Sequence, residues 1–177
     1  MKKLVSLPLL LATIICGCNP AADNSQGKTA DYFDIKGYFD KEVVRLSKDS
    51  LLIKKTVGVD GSLETKAVKI KDWKNELSAF SDAEINRASW RGLFVTSNSN
   101  DSDTYISNND KVPVKEVKVY KNGGKVTGIA IIVKNENILY SSTDSLIYFP
   151  DSVYQVRKQQ NIRFLSDRNY LIKGMFK

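Results

Sequence analysis

From residue 112 onward the chain is a series of short, apolar-rich runs separated by brief turns, and that spacing allows little except a meandering sheet. Runs 112–121 and 125–134 flank Asn122-Gly123-Gly124, a glycine-bearing hairpin turn. In the second run Ile129, Ile131 and Val133 share one side, while Gly128, Ala130 and Ile132 share the other. A strand apolar on both sides belongs inside a sheet, so this one is expected to be central. Asn135-Glu136-Asn137 turns into 138–142, and 146–149 continues that strand or pairs with it. Pro150-Asp151-Ser152 leads into 153–164, and Ser166-Asp167-Arg168-Asn169 leads into 170–176. Successive strands joined by short turns pair as antiparallel neighbours.

The first half of the chain supplies something to lay on that sheet. Tyr32, Ile35, Phe39, Val43 and Leu46 recur at helical spacing and predict a helix over 30–47 with one apolar face. Thr29 or Asp31 can cap it, and Gly37 weakens its middle by up to about 1 kcal/mol. Two β-rich runs, 51–59 and 62–70, flank Asp60-Gly61, a strong hairpin signal. Ile53, Val57 and Val59 share a face with Leu63, Val68 and Ile70 only if a bulge shifts the parity. Asp72 caps a short helix carrying Trp73, Leu77 and Phe80, with a further turn at 83–86 and a short strand at 93–95. Residues 96–110 are the most polar stretch and read as a solvated loop. A calcium loop starting at Asp101 would need glycine and glutamate where Ile106 and Val112 stand, so that motif fails. The expected fold is α+β: a twisted antiparallel sheet of about six to eight strands with an N-terminal helix packed across one face.

The first eighteen residues have a different character. Lys2 and Lys3 precede an apolar run, 4–15, followed by Ile15-Cys16-Gly17-Cys18. At about 1.5 Å per residue the stretch 4–18 covers roughly 22 Å, short of a ~30 Å hydrocarbon core. The tetrapeptide resembles the lipobox of bacterial lipoproteins: aliphatic, small, small, cysteine. The resemblance implies a signal peptide over 1–17, cleavage before Cys18, diacylglycerol on that cysteine and an acylated amine. Cys16 stands where the family usually has Ala or Ser. Gly17 suits the position before a cut and Ile15 does not, so Cys18 is the expected lipidation site. The alternative is an ordinary secretory signal with an incidental cysteine. Residues 18–29 then form the lipidated end and a flexible tether, rich in Asn, Ser, Pro and Gly, and 30–177 form a single domain. Asn19, where an Asp would mark inner-membrane retention, points to the outer membrane of a cell envelope.

The residue inventory narrows the chemistry. The chain contains no His, which removes the commonest general base and most zinc sites, and both cysteines lie in the anchor. No phosphate-binding glycine loop or nucleophile elbow occurs. A carboxylate pair or a Ser–Lys dyad remains open, with no pattern selecting residues. The formal net charge of +7 falls once Lys2 and Lys3 leave, and the modest excess that remains suits solubility or anionic headgroups. Lys54, Lys55, Lys66, Lys69, Lys71 and Lys74 surround Trp73. They read as charges guarding sheet edges, with Trp73 pointing inward.

These features imply no catalytic residue, no metal and no cofactor. The expected partners are a membrane, through Cys18, and an envelope protein; nucleic acid is not expected. The expected function is a non-enzymatic, membrane-anchored envelope lipoprotein that binds a partner protein or an apolar ligand. The alternatives are a lipid carrier, loosely like the half-barrel lipoprotein carriers of diderm bacteria, and a carboxylate-dependent cell-wall glycan hydrolase. An open apolar cavity would mark the carrier, and two carboxylates in one cleft the hydrolase.

Overall fold

The computed structural model describes residues 32–177. Helix α1 (Ile35–Lys48) is followed by β1 (Leu52–Val59), β2 (Ser62–Lys69), the short helices α2 (Trp73–Glu76) and α3 (Ser78–Asp82), and a 3₁₀ turn at Ala88–Trp90. Then come β3 (Val95–Asn98), β4 (Ser102–Ile106), β5 (Val114–Asn122), β6 (Lys125–Glu136), β7 (Tyr140–Phe149), β8 (Val153–Ile162) and β9 (Arg168–Phe176). All nine strands form one open antiparallel sheet in the order β2-β1-β9-β8-β7-β6-β5-β4-β3. The sheet exceeds the six to eight strands expected. The excess comes from 96–110, where the expected loop is instead the hairpin β3–β4. Ser99 closes its turn by accepting from the Ser102 amide (3.0 Å) and donating to the Ser102 carbonyl (3.0 Å). Tyr105 anchors β4 in the core, and Asp103 pairs with Lys121 at 2.6 Å.

The register explains the core. Tyr154, Tyr148, Ile129 and Val119 lie directly opposite one another across four neighbouring strands, as do Val156, Leu146, Ile131, Val117 and Tyr105 across five. These two rows form the face that receives the helices. From α1, Ile35, Phe39 and Leu46 are fully buried. Phe39 stacks on Phe80 at 4.9 Å between centroids and meets the Tyr148 ring edge-on at 5.1 Å. Trp73 does point inward, stacked on Phe176 at 5.9 Å and edge-on to Tyr154.

Local chemistry departs from expectation at several points. Helix α1 starts later than periodicity suggests, and its cap is Asp34, whose carboxylate accepts from the Gly37 amide at 2.8 Å. The proposed caps Thr29 and Asp31 lie outside the described residues. A Cβ at Gly37 would fall 2.1 Å from the Asp34 carboxylate, so this glycine makes room for the cap. The Asp60-Gly61 turn has φ of 50° and 86°, the left-handed pair that suits a two-residue hairpin. No bulge interrupts β1–β2, so Leu63 lies opposite Gly58, on the other face from Val57 and Val59. Asp72 caps α2 as expected, accepting from the Asn75 amide at 3.0 Å. Residues 83–86 form no helix. There Asn86 accepts from the Tyr32 amide (3.0 Å) and donates to the Phe33 carbonyl (3.1 Å), tying down the start of the described chain.

Two polar ties fasten the helices to the sheet. The Tyr148 hydroxyl donates to Glu42, which pairs with Arg45 at 2.7 Å, and Arg45 pairs in turn with Asp151 at 2.7 Å. The Tyr154 hydroxyl donates to Glu76 at 2.6 Å, and Glu76 pairs with Lys55 at 2.7 Å. Burial first, then the neighbouring carboxylate, pushes both phenols well above the ordinary tyrosine value. A tyrosine is neutral when protonated, so the folded chain holds these protons more tightly than the unfolded one. Their stabilising contribution is complete below pH ~10 and is lost as the pH climbs beyond it, at about 1.4 kcal/mol per pH unit for each tyrosine. Urea midpoints measured from pH 9 to 12 should fall accordingly, and Tyr154→Phe should flatten the fall. Separately, a Cβ at Gly174 would lie 2.1 Å from the Tyr154 ring. Gly174→Ala should therefore cost about 1–3 kcal/mol, read as a lower urea midpoint.

Candidate functional site

The one site residue expected from the sequence, Cys18, lies outside the described residues. The search for a site therefore turns on which surfaces of the sheet the helices leave open. Along the middle of the helix-covered face there is no room, because Phe39, Phe80, Leu77 and Trp73 fill it.

Of the clefts among the described residues, two bear on the search. One, of about 320 Å³, lies where α3 and the 3₁₀ turn face the ends of β5, β6 and β7. Asp82, Arg87 and Trp90 line it on the helical side, and Val133, Asn135 and Asp144 on the sheet side. The Arg87 guanidinium sits 4.5 Å from the Trp90 ring centroid and donates to the Asp82 carbonyl at 3.0 Å. One oxygen of Asp144 accepts from Lys158 at 3.5 Å, and the other is shut off from solvent without a hydrogen-bond partner. Asp82 and Asp144 thus line the same cleft. Sequence reasoning missed the pair because 62 positions separate two carboxylates with no motif around either. The register sets Asp144 opposite Val133 and Lys158, and the packing of α3 on the sheet brings Asp82 to it.

The other cleft, of about 420 Å³, is a shallow apolar trough at the free ends of β1 and β9, lined by Val57, Val59, Tyr170 and Ile172. By register Ile172 and Val57 continue the row of Val156 and Leu146, while Tyr170 and Val59 continue the next row, that of Lys158 and Asp144.

Two of the six lysines around the first hairpin are held by carboxylates. Lys55 is bonded to Glu76 and Lys66 to Glu64, while Lys54, Lys69, Lys71 and Lys74 are exposed. β2 is an edge strand, as the guarding role requires. Among the described residues, no group of three or more His, Cys, Asp or Glu side chains is placed to hold a metal ion, and no helix is long and apolar enough to cross a membrane.

A trough this shallow should not enclose an acyl chain. Titration with the fluorescent fatty acid cis-parinaric acid should give weak, non-saturating binding. A saturable one-to-one complex would mean that the helical layer lifts to open a cavity.

Compared with protein-family models, curated proteins and solved structures, the chain matches none.

Proposed function

We propose that the protein is a bacterial envelope lipoprotein, held on a membrane by acyl groups on Cys18, whose sheet domain binds a partner protein. The N-terminal pattern supports the address: two lysines, a short apolar run and Gly17 before Cys18. The observation that carries the binding role is the seating of α1, α2 and α3 on the sheet. A carrier needs a pocket of several hundred Å³ lined by apolar groups. Here Phe39, Phe80 and Trp73 fill the covered face, and the apolar trough beside them is too shallow to enclose a ligand. Asn19 favours the outer membrane as the site of residence.

Intact mass of the native protein should show residues 1–17 removed and a lipid on Cys18. Cys18→Ser should move the chain from the detergent phase to the aqueous phase, because two or more acyl chains are what make anchoring stable. An unmodified, water-soluble mature form would remove the anchor from this reading. Crosslinking in the native envelope, followed by mass spectrometry, identifies the partner.

The cleft shared by Asp82 and Asp144 favours a second reading, hydrolysis of a cell-wall glycan with one carboxyl as acid and the other as base or nucleophile. Purified protein incubated with cell-wall glycan decides between the two. Release of reducing ends that Asp144→Asn abolishes would replace the binding role with a catalytic one.

A further inference from the structure

The antiparallel register brings four connections to one end of the sheet, one of them the polar β4–β5 loop at 107–113. Val59 faces Tyr170, Gln160 faces Arg168, and Tyr140 faces Ile162, so the β1–β2, β8–β9 and β6–β7 turns stand side by side. Two of them carry bare apolar tips. Ile138 is 84% exposed, Leu139 63%, Phe164 90% and Leu165 67%. The turns at the opposite end hold Ser99, Asp101, Gly123, Gly124, Asp151 and Ser152 instead. With neighbouring strands about 4.8 Å apart, the two apolar tips are separated by two strand spacings, about 10 Å.

These tips have features that loop residues exposed by chance lack. Phe164 has φ of 70°, a left-handed conformation where glycine or asparagine would be ordinary and a bulky ring is an outlier. The backbone there accepts strain while an aromatic ring is held in solvent. The tips are also bonded to each other and within themselves. The Arg163 amide donates to the Leu139 carbonyl at 2.9 Å, the Leu165 amide to the Ile162 carbonyl at 2.9 Å, the Leu139 amide to the Asn137 side chain at 2.9 Å and the Asn137 amide to the Tyr140 carbonyl at 2.8 Å. Amides satisfied in this way can leave water without the penalty of an unpaired donor.

Behind the tips the character changes to polar and amphipathic, with Tyr140, Ser142, Gln160, Asn161 and Asn169. The Arg163 guanidinium lies over the Phe164 ring at 5.3 Å and pairs with no carboxylate among the described residues. The charges at this end cancel: Arg168 pairs with Asp60 at 2.7 Å, Lys134 and Glu136 flank the β6–β7 turn, and Asp167, which accepts from the Asn161 side chain at 2.6 Å, offsets Arg163 within the β8–β9 turn.

We propose that this end of the sheet is a second membrane contact: Ile138, Leu139, Phe164 and Leu165 enter the interface of the bilayer that holds the acylated Cys18, with Arg163 at the phosphate level. The inference rests on the address given under the proposed function and adds an orientation to it. Four side chains on two points are too few for a stable protein interface, which engages about 20–30 residues a side. They suit an interface that an apolar tip enters while its polar flanks stay among the headgroups. Residues 19–31 reach up to roughly 45 Å when extended, so the tether permits the contact. Because the local charges nearly cancel, the contact is apolar in origin and persists at high salt.

The test places a tryptophan at each end of the sheet in the full chain, Leu139→Trp and Ser152→Trp, with the protein reconstituted into phosphatidylcholine–phosphatidylglycerol vesicles. The native Trp73 and Trp90 are buried and give a common background. Brominated phosphatidylcholine should quench Leu139→Trp several-fold more than Ser152→Trp, in low and high salt alike. Equal quenching of the two variants, or none, overturns the proposal. So does capture of an envelope protein by a photo-crosslinker at Ile138 while Leu139→Trp stays unquenched. Flotation of the Cys18→Ser chain reads the anchor separately. If that chain leaves the vesicles, the anchor stands whatever the tips do; if Leu139→Trp is quenched in a chain that carries no lipid, the tips stand without the anchor.

Discussion

The fold depends on one aromatic contact between its two layers. Phe39 projects from α1 into the space bounded by Phe80 and Tyr148, stacking on the first and meeting the second edge-on. Tyr38 extends the cluster on the same side, edge-on to both Phe39 and Tyr148. Aromatic pairs in such geometry contribute about 0.5–1.5 kcal/mol beyond the area they bury. The chain carries no disulfide within its folded part, since both cysteines precede it. Packing and the two tyrosine–carboxylate ties must hold the helices down without covalent help.

The sheet combines local and distant pairing. From β3 to β9 each strand pairs with its successor across a short turn, a meander that builds one hairpin at a time. The first hairpin joins last in space, because β1 pairs with β9. Asp60 accepts from the Asn169 amide across 109 positions of sequence. Closing so long a loop costs entropy before any contact rewards it, which makes this pairing the slow element of assembly. Docking of α2 depends on the same event, since Trp73 stacks on Phe176 of β9.

Much of this could be read from the chain because the relevant signals are local. The Asp60-Gly61 turn needs only its own two left-handed residues, and Ile35, Phe39 and Leu46 declare a helix face by spacing alone. The β3–β4 hairpin could not be read, because its residues are Ser, Asn, Asp and Thr and its strand character comes from pairing with β5. The cap at Asp34 was obscured by earlier residues of equal capping ability. The exposed tips were hidden for the opposite reason: Ile138 and Phe164 look like core residues until the register shows that they lie beyond the last rung. The candidate cleft joins α3 to β7, and only the packing of the helices on the sheet brings those two segments together.

An open sheet has two bare rims, and here they are unlike. The β3 rim is four residues long, too short to template more than a few hydrogen bonds with another chain. The β2 rim is twice that length but carries Glu64, Lys66 and Lys69 along it. Two copies approaching there would have to bring exposed charged side chains together, and head-to-tail ribbons would have to join a long charged rim to a short one. Growth into a polymer is therefore discouraged at both borders, which lets the chain keep an unclosed sheet without zipping to its neighbours.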